Sequence, residues 1–411
     1  MARGQIAKPE FFVDYFLWLN TVGSLDYNDI EFDNAFGIDI GDEASGRLMQ
    51  TGVPLISSML RLDPSVANAI PVIDADNVDY SESISSFTVP TGLKTGYYDA
   101  LGSEYAEDEI EKEDFKNFNI NYVAFLNHNF SRADCFPFIS FPSSQEDGEV
   151  YVPSLSEIIN FRDDGNDGGG YSPLNDGYSI ASFEEGNVPQ DNIEKLTVSL
   201  QPSAGEQNIK TGLFLGGISI GYKYQPPSSP DMKITMTYEV GYKRKNTING
   251  RKIAHLNWFR ERGWSQFGIK RNSFNVENQL GLGHRFNFRK AGRRVWDISF
   301  SYLSEDNMFP TNINTTINGM DDNFGSGTSE TLTDNDINII DESRTLMGDN
   351  SLIAQLLHKT CFGYLPFMFR PDSTYSKADA FCIAMLDMKK FTIRQVAHKL
   401  WSVKMRVTEV I

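Results

Sequence analysis

Alternation of apolar and polar residues is the clearest pattern in the chain. Met232, Ile234, Met236, Tyr238 and Val240 alternate with Lys233, Thr235, Thr237 and Glu239. Trp296, Ile298, Phe300 and Tyr302 alternate with Asp297, Ser299 and Ser301, and Trp401, Val403, Met405 and Val407 repeat the pattern further on. Residues 196–200 are a shorter case. Side chains on a strand point to opposite faces in turn, so each segment predicts a strand with one face on a core. Helical spacing is rare. Leu352, Ile353, Leu356 and Leu357 share one helical face, which predicts a helix over 351–360 with Ser351 as its cap. Residues 46–60 read either way. Residues 104–117, 163–179 and 320–343 are polar and read as long loops, which in compact proteins usually carry function or motion.

One pattern occurs twice. Phe286, Arg289 and Trp296 recur as Phe391, Arg394 and Trp401 at a constant offset of 105 residues, each followed by an alternating strand. The repeat predicts two related hairpins, 286–302 and 391–407, with Trp296 and Trp401 at equivalent structural positions and the hairpins closing one core. A proline-rich stretch, 225–231, predicts a boundary, since proline breaks strands. The expected organisation is an N-terminal arm (1–40), a β-sandwich (41–225) and a C-terminal β-domain (226–411) containing both hairpins. The expected fold is mainly β: two sandwich- or barrel-like domains with long loops and few short helices.

Composition supports this reading. Aromatic residues make up 12% of 411 residues, and aromatics suit pleated, half-buried surfaces. The formal charge is −18, which argues against a nucleic-acid binder. The charge is segregated, however. From Lys243 to Arg294 there are fourteen Lys/Arg against Glu261 and Glu277, a local balance of +12 that leaves −30 for the rest. Such asymmetry reads either as a solvated basic face or as a surface for a partner, the acidic part of a neighbouring copy or subunit or a nucleic acid; for contact with a neighbouring copy, Lys243, Arg244, Lys245, Arg293 and Arg294 are the expected residues. Cys135, Cys361 and Cys382 show no metal or disulfide spacing and read as buried free thiols. Asp14 interrupts the apolar run 11–20, which does not read as a signal peptide, and no stretch approaches 18 uninterrupted apolar residues. The expectation is a soluble chain made in a cytoplasm, without a membrane span.

Motifs that carry chemistry are scarce. The five histidines fall in no metal-binding spacing, and no phosphate-binding glycine motif is present. Residues 217–221 fit G-x-S-x-G, but a nucleophile elbow needs a following helix, and 222–231 cannot start one. The Asp-rich loop from Asp163 has Leu174, not Glu, at its twelfth position, unlike a calcium loop. The acidic pairs Asp163/Asp164 and Asp321/Asp322 sit in polar loops. No catalytic residue, metal or cofactor is expected, and the chain does not read as an enzyme.

Residues 121–140, with Tyr122, Ala124, Leu126, His128 and Asn129, resemble a strand-and-turn of galactose-binding-like β-sandwiches in phage tail and virion proteins. Stretches 221–244, 293–304, 359–372 and 391–411 resemble the C-terminal half of tailed-bacteriophage virion structural proteins. The F-x-x-x-Q-V-A-x-x-x-W ending is similar to minor tail and distal tail proteins. The resemblance implies a structural subunit of the tail tip, baseplate or an adaptor ring, partnered by its own copies and by other tail proteins and located in the virion. His128 and Asn129 then read as turn-forming, structural residues. Two alternatives remain open: a host-glycan-binding module, with Tyr171 and Tyr178 stacking on sugar, and a head decoration or neck protein.

Overall fold

The computed structural model describes residues 8–22, 31–33, 62, 68–70, 85–90, 92–93, 116–117, 120–133, 135–142, 150–151, 155–159, 161–163, 171–174, 177–183, 195–202, 213–231, 235–240, 242–246, 252–256, 292–310, 349–374 and 381–410. The fold is mainly β, in antiparallel sheets with few helices. Two compact units divide the chain. One takes residues 1–18, 222–262 and 282–411; the other takes 19–221 and 263–281.

The first unit is built on a sheet in the order Glu10–Asp14, Phe367–Arg370, Cys382–Leu386, Leu400–Glu409, Gly292–Ser304, Thr235–Val240. The two alternating strands of the sequence repeat lie side by side: Trp296 faces Val407, Ile298 faces Met405 and Phe300 faces Val403. Those six side chains are buried on one face. The strand Ile393–Ala397 returns on Leu400–Glu409 through His398 and Lys399, a tighter turn than the wide loop expected after 391–393. Residues 286–291 of the first hairpin lie outside the described residues. A register shift between Phe300 and Leu303 breaks the alternation. It turns Leu303 inward and leaves Tyr302 72% exposed, although strict alternation placed Tyr302 in the core. Trp401 is half-buried and packs edge-on against Phe309, whereas Trp296 is fully buried against Phe369. The two tryptophans therefore sit in different environments.

Glu10–Asp14 falls inside the stretch expected to be an arm, yet all five residues are buried and it pairs with Phe367–Arg370. Its phenylalanines explain why: Phe11 meets Phe367 and Phe369, and Phe12 meets Phe381, at centroid distances of 5.1–6.0 Å. Asp14 ends the strand and starts the helix Tyr15–Val22 by accepting from the Leu17 N–H at 2.9 Å, as an N-cap does. The proline-rich stretch 225–231, expected as a boundary, lies just after the 221/222 division between the units and within this one. Asp231 accepts from the hydroxyls of Ser299 and Ser301, both at 2.7 Å, and from the Ser301 N–H, which clips the stretch to Gly292–Ser304. The expected helix at 351–360 forms, but wound as a π-helix over Ile353–His358.

In the second unit, Leu155–Ile159, Gly177–Phe183, Tyr122–His128 and Gly217–Tyr224 follow one another in a sheet, the last contributing residues 217–221 to this unit. Tyr122–His128 and Gly177–Phe183 are buried throughout, as expected of inner strands covered on both faces. A five-stranded sheet runs Glu31–Asp33, Ser85–Pro90, Lys195–Pro202, Cys135–Pro142, Val150–Tyr151. Tyr171–Pro173 lies within, and Gly177–Phe183 begins within, the stretch 163–179 that reads as a loop in the sequence, because the glycines and aspartates of 163–170 mask the apolar residues that follow. Residues 46–60, 104–115 and 320–343 lie outside the described residues. Among the described residues, no helix is long and apolar enough to cross a membrane.

Candidate functional site

His128 and Ser179 form the one arrangement, among the described residues, that resembles catalytic machinery. His128 ends the strand Tyr122–His128, and its Nε2 lies 2.9 Å from Ser179 Oγ. The Phe130 N–H donates to Nδ1 at 3.3 Å, an arrangement that places the ring proton on Nε2, on the side of Ser179 and Tyr178. Burial also pushes the His128 pKa down to about 3, opposed by a backbone hydrogen bond with Tyr178. The ring stacks on Phe130 at 4.3 Å, and Ser179 has no exposed surface. The pair therefore ties a strand end to the neighbouring strand and the short helix Phe130–Ala133. The buried Asn129 contributes its backbone carbonyl, which accepts from the Ala133 N–H at 3.0 Å. Ser219 of the G-x-S-x-G match lies inside a strand, fully buried, with its hydroxyl 2.8 Å from the Tyr122 hydroxyl. Tyr178 is also buried, so its ring is not presented to a sugar; the side chain of Tyr171 lies outside the described residues.

A second cluster was not foreseen. Lys359 follows the π-helix and is fully buried, its ammonium 4.7 Å from the Tyr15 ring centroid and 4.4 Å from that of Trp18. Tyr15 donates to Gln355 Oε1 at 2.9 Å, and Gln355 Nε2 donates to the Asp349 carbonyl at 2.7 Å. Burial lowers the Lys359 pKa to about 7. Burial, with Lys359 beside it, lowers that of His358 to about 4. Desolvation raises the Tyr15 phenol well above its ordinary range, with Tyr222 adding to the effect. A half-neutral amine is a competent nucleophile in principle, but the enclosure of this one assigns it to packing. The turn that follows is strained: Cys361, Phe362 and Gly363 all have positive φ. Cys361 is half-buried, while Cys135 and Cys382 are buried; all three thiols are free.

Of the residues expected at a contact surface, Arg294 is engaged within the chain. Its guanidinium straddles the Glu409 carboxylate at 3.2 Å on both arms, reaches the Phe381 carbonyl at 3.1 Å and covers the Trp296 ring. Arg293 pairs with Glu239 in strand register; Lys243, Arg244 and Lys245 lie on Tyr242–Asn246, opposite Lys252–Leu256. The side chains of these four lie outside the described residues. A buried pair, Glu10 and Arg370, has no counterpart among the sequence expectations. The two face each other across the strand pair, Arg370 bonded to Glu10 and covering the Phe381 ring. The signal for it is faint: single charges in apolar runs, 360 residues apart.

Compared with known proteins, the chain matches no family model, no curated sequence and no solved structure at a significant level.

Proposed function

We propose that this chain is a structural subunit of a bacteriophage tail, in the tail tip, baseplate or an adaptor ring, and that it works by protein–protein assembly in the virion. The observation that carries the reading is the resemblance of 391–411 to minor and distal tail proteins. That stretch is a hairpin whose second strand is the inner strand between Cys382–Leu386 and Gly292–Ser304. Two internal features support a rigid part: the buried Glu10–Arg370 pair and the Arg294–Glu409 fork, each joining separate strands. Charge segregation supports assembly, because a +12 stretch meeting the acidic remainder of a neighbouring copy sets register and speeds encounter.

Mass spectrometry of purified particles tests the reading. A ring-sized copy number is expected; hundreds of copies would move the chain to the capsid surface, and absence from particles would reject the virion assignment. Charge reversal at Lys243, Arg244, Lys245 and Arg293 should impair incorporation. Arg294 is left out of that variant, because losing its fork would damage the fold rather than an interface.

A further inference from the structure

The hairpin formed by Ile393–Ala397 and Leu400–Glu409 carries a charge pattern opposite to that of the whole chain. Residues 388–406 contain Lys389, Lys390, Arg394, Lys399, Lys404 and Arg406 and no Asp or Glu, in a chain of formal charge −18. All six are exposed. Arg394 lies across from Ser402, which puts it on the same strand face as Lys404 and Arg406. Lys399 sits in the turn, its φ of 57° fixing the reversal. Among the described residues, Arg406 alone of the six has an acid partner, Asp297 at 3.1 Å, and both are about half exposed. Gln395, Val396 and Ala397 are exposed as well, so both faces of the outer strand stand clear of the core. Its outer edge has no hydrogen-bonded neighbour among the described residues.

We infer that this hairpin is a docking surface for an acidic segment of a second copy of the chain, residues 104–114. Charge complementarity singles out that partner. The segment holds seven Asp/Glu against Lys112, a balance of −6 that mirrors the +6 of 388–406. An exposed Val396 and an open strand edge suit a polypeptide, which supplies apolar contact and backbone partners together. Nucleic acid fits less well: the rest of the chain carries −24 and repels phosphate. The inference rests on the assembly reading and names a surface and a partner for it.

Sedimentation velocity of the full-length chain tests it. Self-association is expected at low salt (about 50 mM) and should weaken at about 500 mM, because exposed charges are screened. The exposed double variant Arg394→Glu/Lys399→Glu should associate at least about tenfold more weakly with an unchanged circular dichroism spectrum. Glu107→Lys/Glu111→Lys should do the same, and mixing the two variants should restore association. A monomeric wild type at low salt, a hairpin variant that associates like wild type, or a mixture that fails to recover overturns the inference. So does a hairpin variant that loses duplex-DNA binding while keeping self-association. Absence from particles would remove the virion reading and leave a successful charge swap standing. A failed swap in a chain found in particles removes this inference alone.

Discussion

Lys359 offers the sharpest test of how this fold handles charge. Its ordinary pKa of 10.5 falls to about 7 on burial. Displacing a titration midpoint by one pH unit takes about 1.4 kcal/mol, so burying the ammonium rather than the amine costs roughly 5 kcal/mol. The rings of Tyr15 and Trp18, at 4.7 and 4.4 Å, offset part of this, at about 2 kcal/mol each when desolvated. A net cost of about 1–5 kcal/mol remains. The folded pKa lies below the unfolded one, so between them the unfolded chain holds the extra proton and stability rises with pH. The cost is fully present below pH 7 and fades toward pH 10.5. Lys359→Met removes this dependence. Urea denaturation of both proteins, followed by tryptophan fluorescence from about pH 6.5 to about pH 9.5, isolates the effect. The stability of Lys359→Met relative to wild type should be greatest at the acid end and decline by up to about 1.4 kcal/mol per pH unit above about pH 7. A difference constant within about 0.5 kcal/mol across that range would show that the two rings hold the ammonium fully charged, and would refute the reasoning.

Three further outcomes are expected. Glu10→Gln leaves Arg370 buried without its counter-charge and should cost about 3–5 kcal/mol, read as a drop in the urea midpoint at unchanged slope. Gly363→Ala places a Cβ 2.7 Å from Leu386 Cβ at a residue with φ of +92°, and should lower the thermal midpoint by more than about 1 kcal/mol equivalent. The pKa of His128 is about 3 in the fold against 6.5 ordinarily. Below pH 6.5 the unfolded chain takes up a proton that the fold refuses, so stability falls between pH 6.5 and about 3. A parallel acid titration of His128→Gln should be flatter in that window, and identical curves would contradict the buried neutral ring.

The strands with period-two alternation were legible in the sequence, because alternation is what a half-buried strand requires. The repeat of Trp296 and Trp401 also carried real information: the strands that follow them are neighbours. What escaped depended on single residues. The register shift after Phe300 has no sequence signal, and it alone decides that Tyr302 faces outward. Asp14 reads as an interruption of an apolar run until its carboxylate is seen capping a helix at Leu17. Lysine reads as surface, so a fully enclosed Lys359 between two rings is invisible to composition. The His128–Ser179 bond joins two strands whose pairing alternation cannot specify.

The joining of Glu10 to Arg370 also sets a timetable for biosynthesis. At about 5–20 residues per second, a ribosome needs roughly 20–70 s to travel between the two codons. Throughout that interval the glutamate and its neighbouring phenylalanines wait without the strand that will enclose them. The unit spanning 19–221 and 263–281 has its residues in hand much earlier. Burial of Glu10 and its phenylalanines therefore follows synthesis of Phe367–Arg370, after the residues of the other unit have been made.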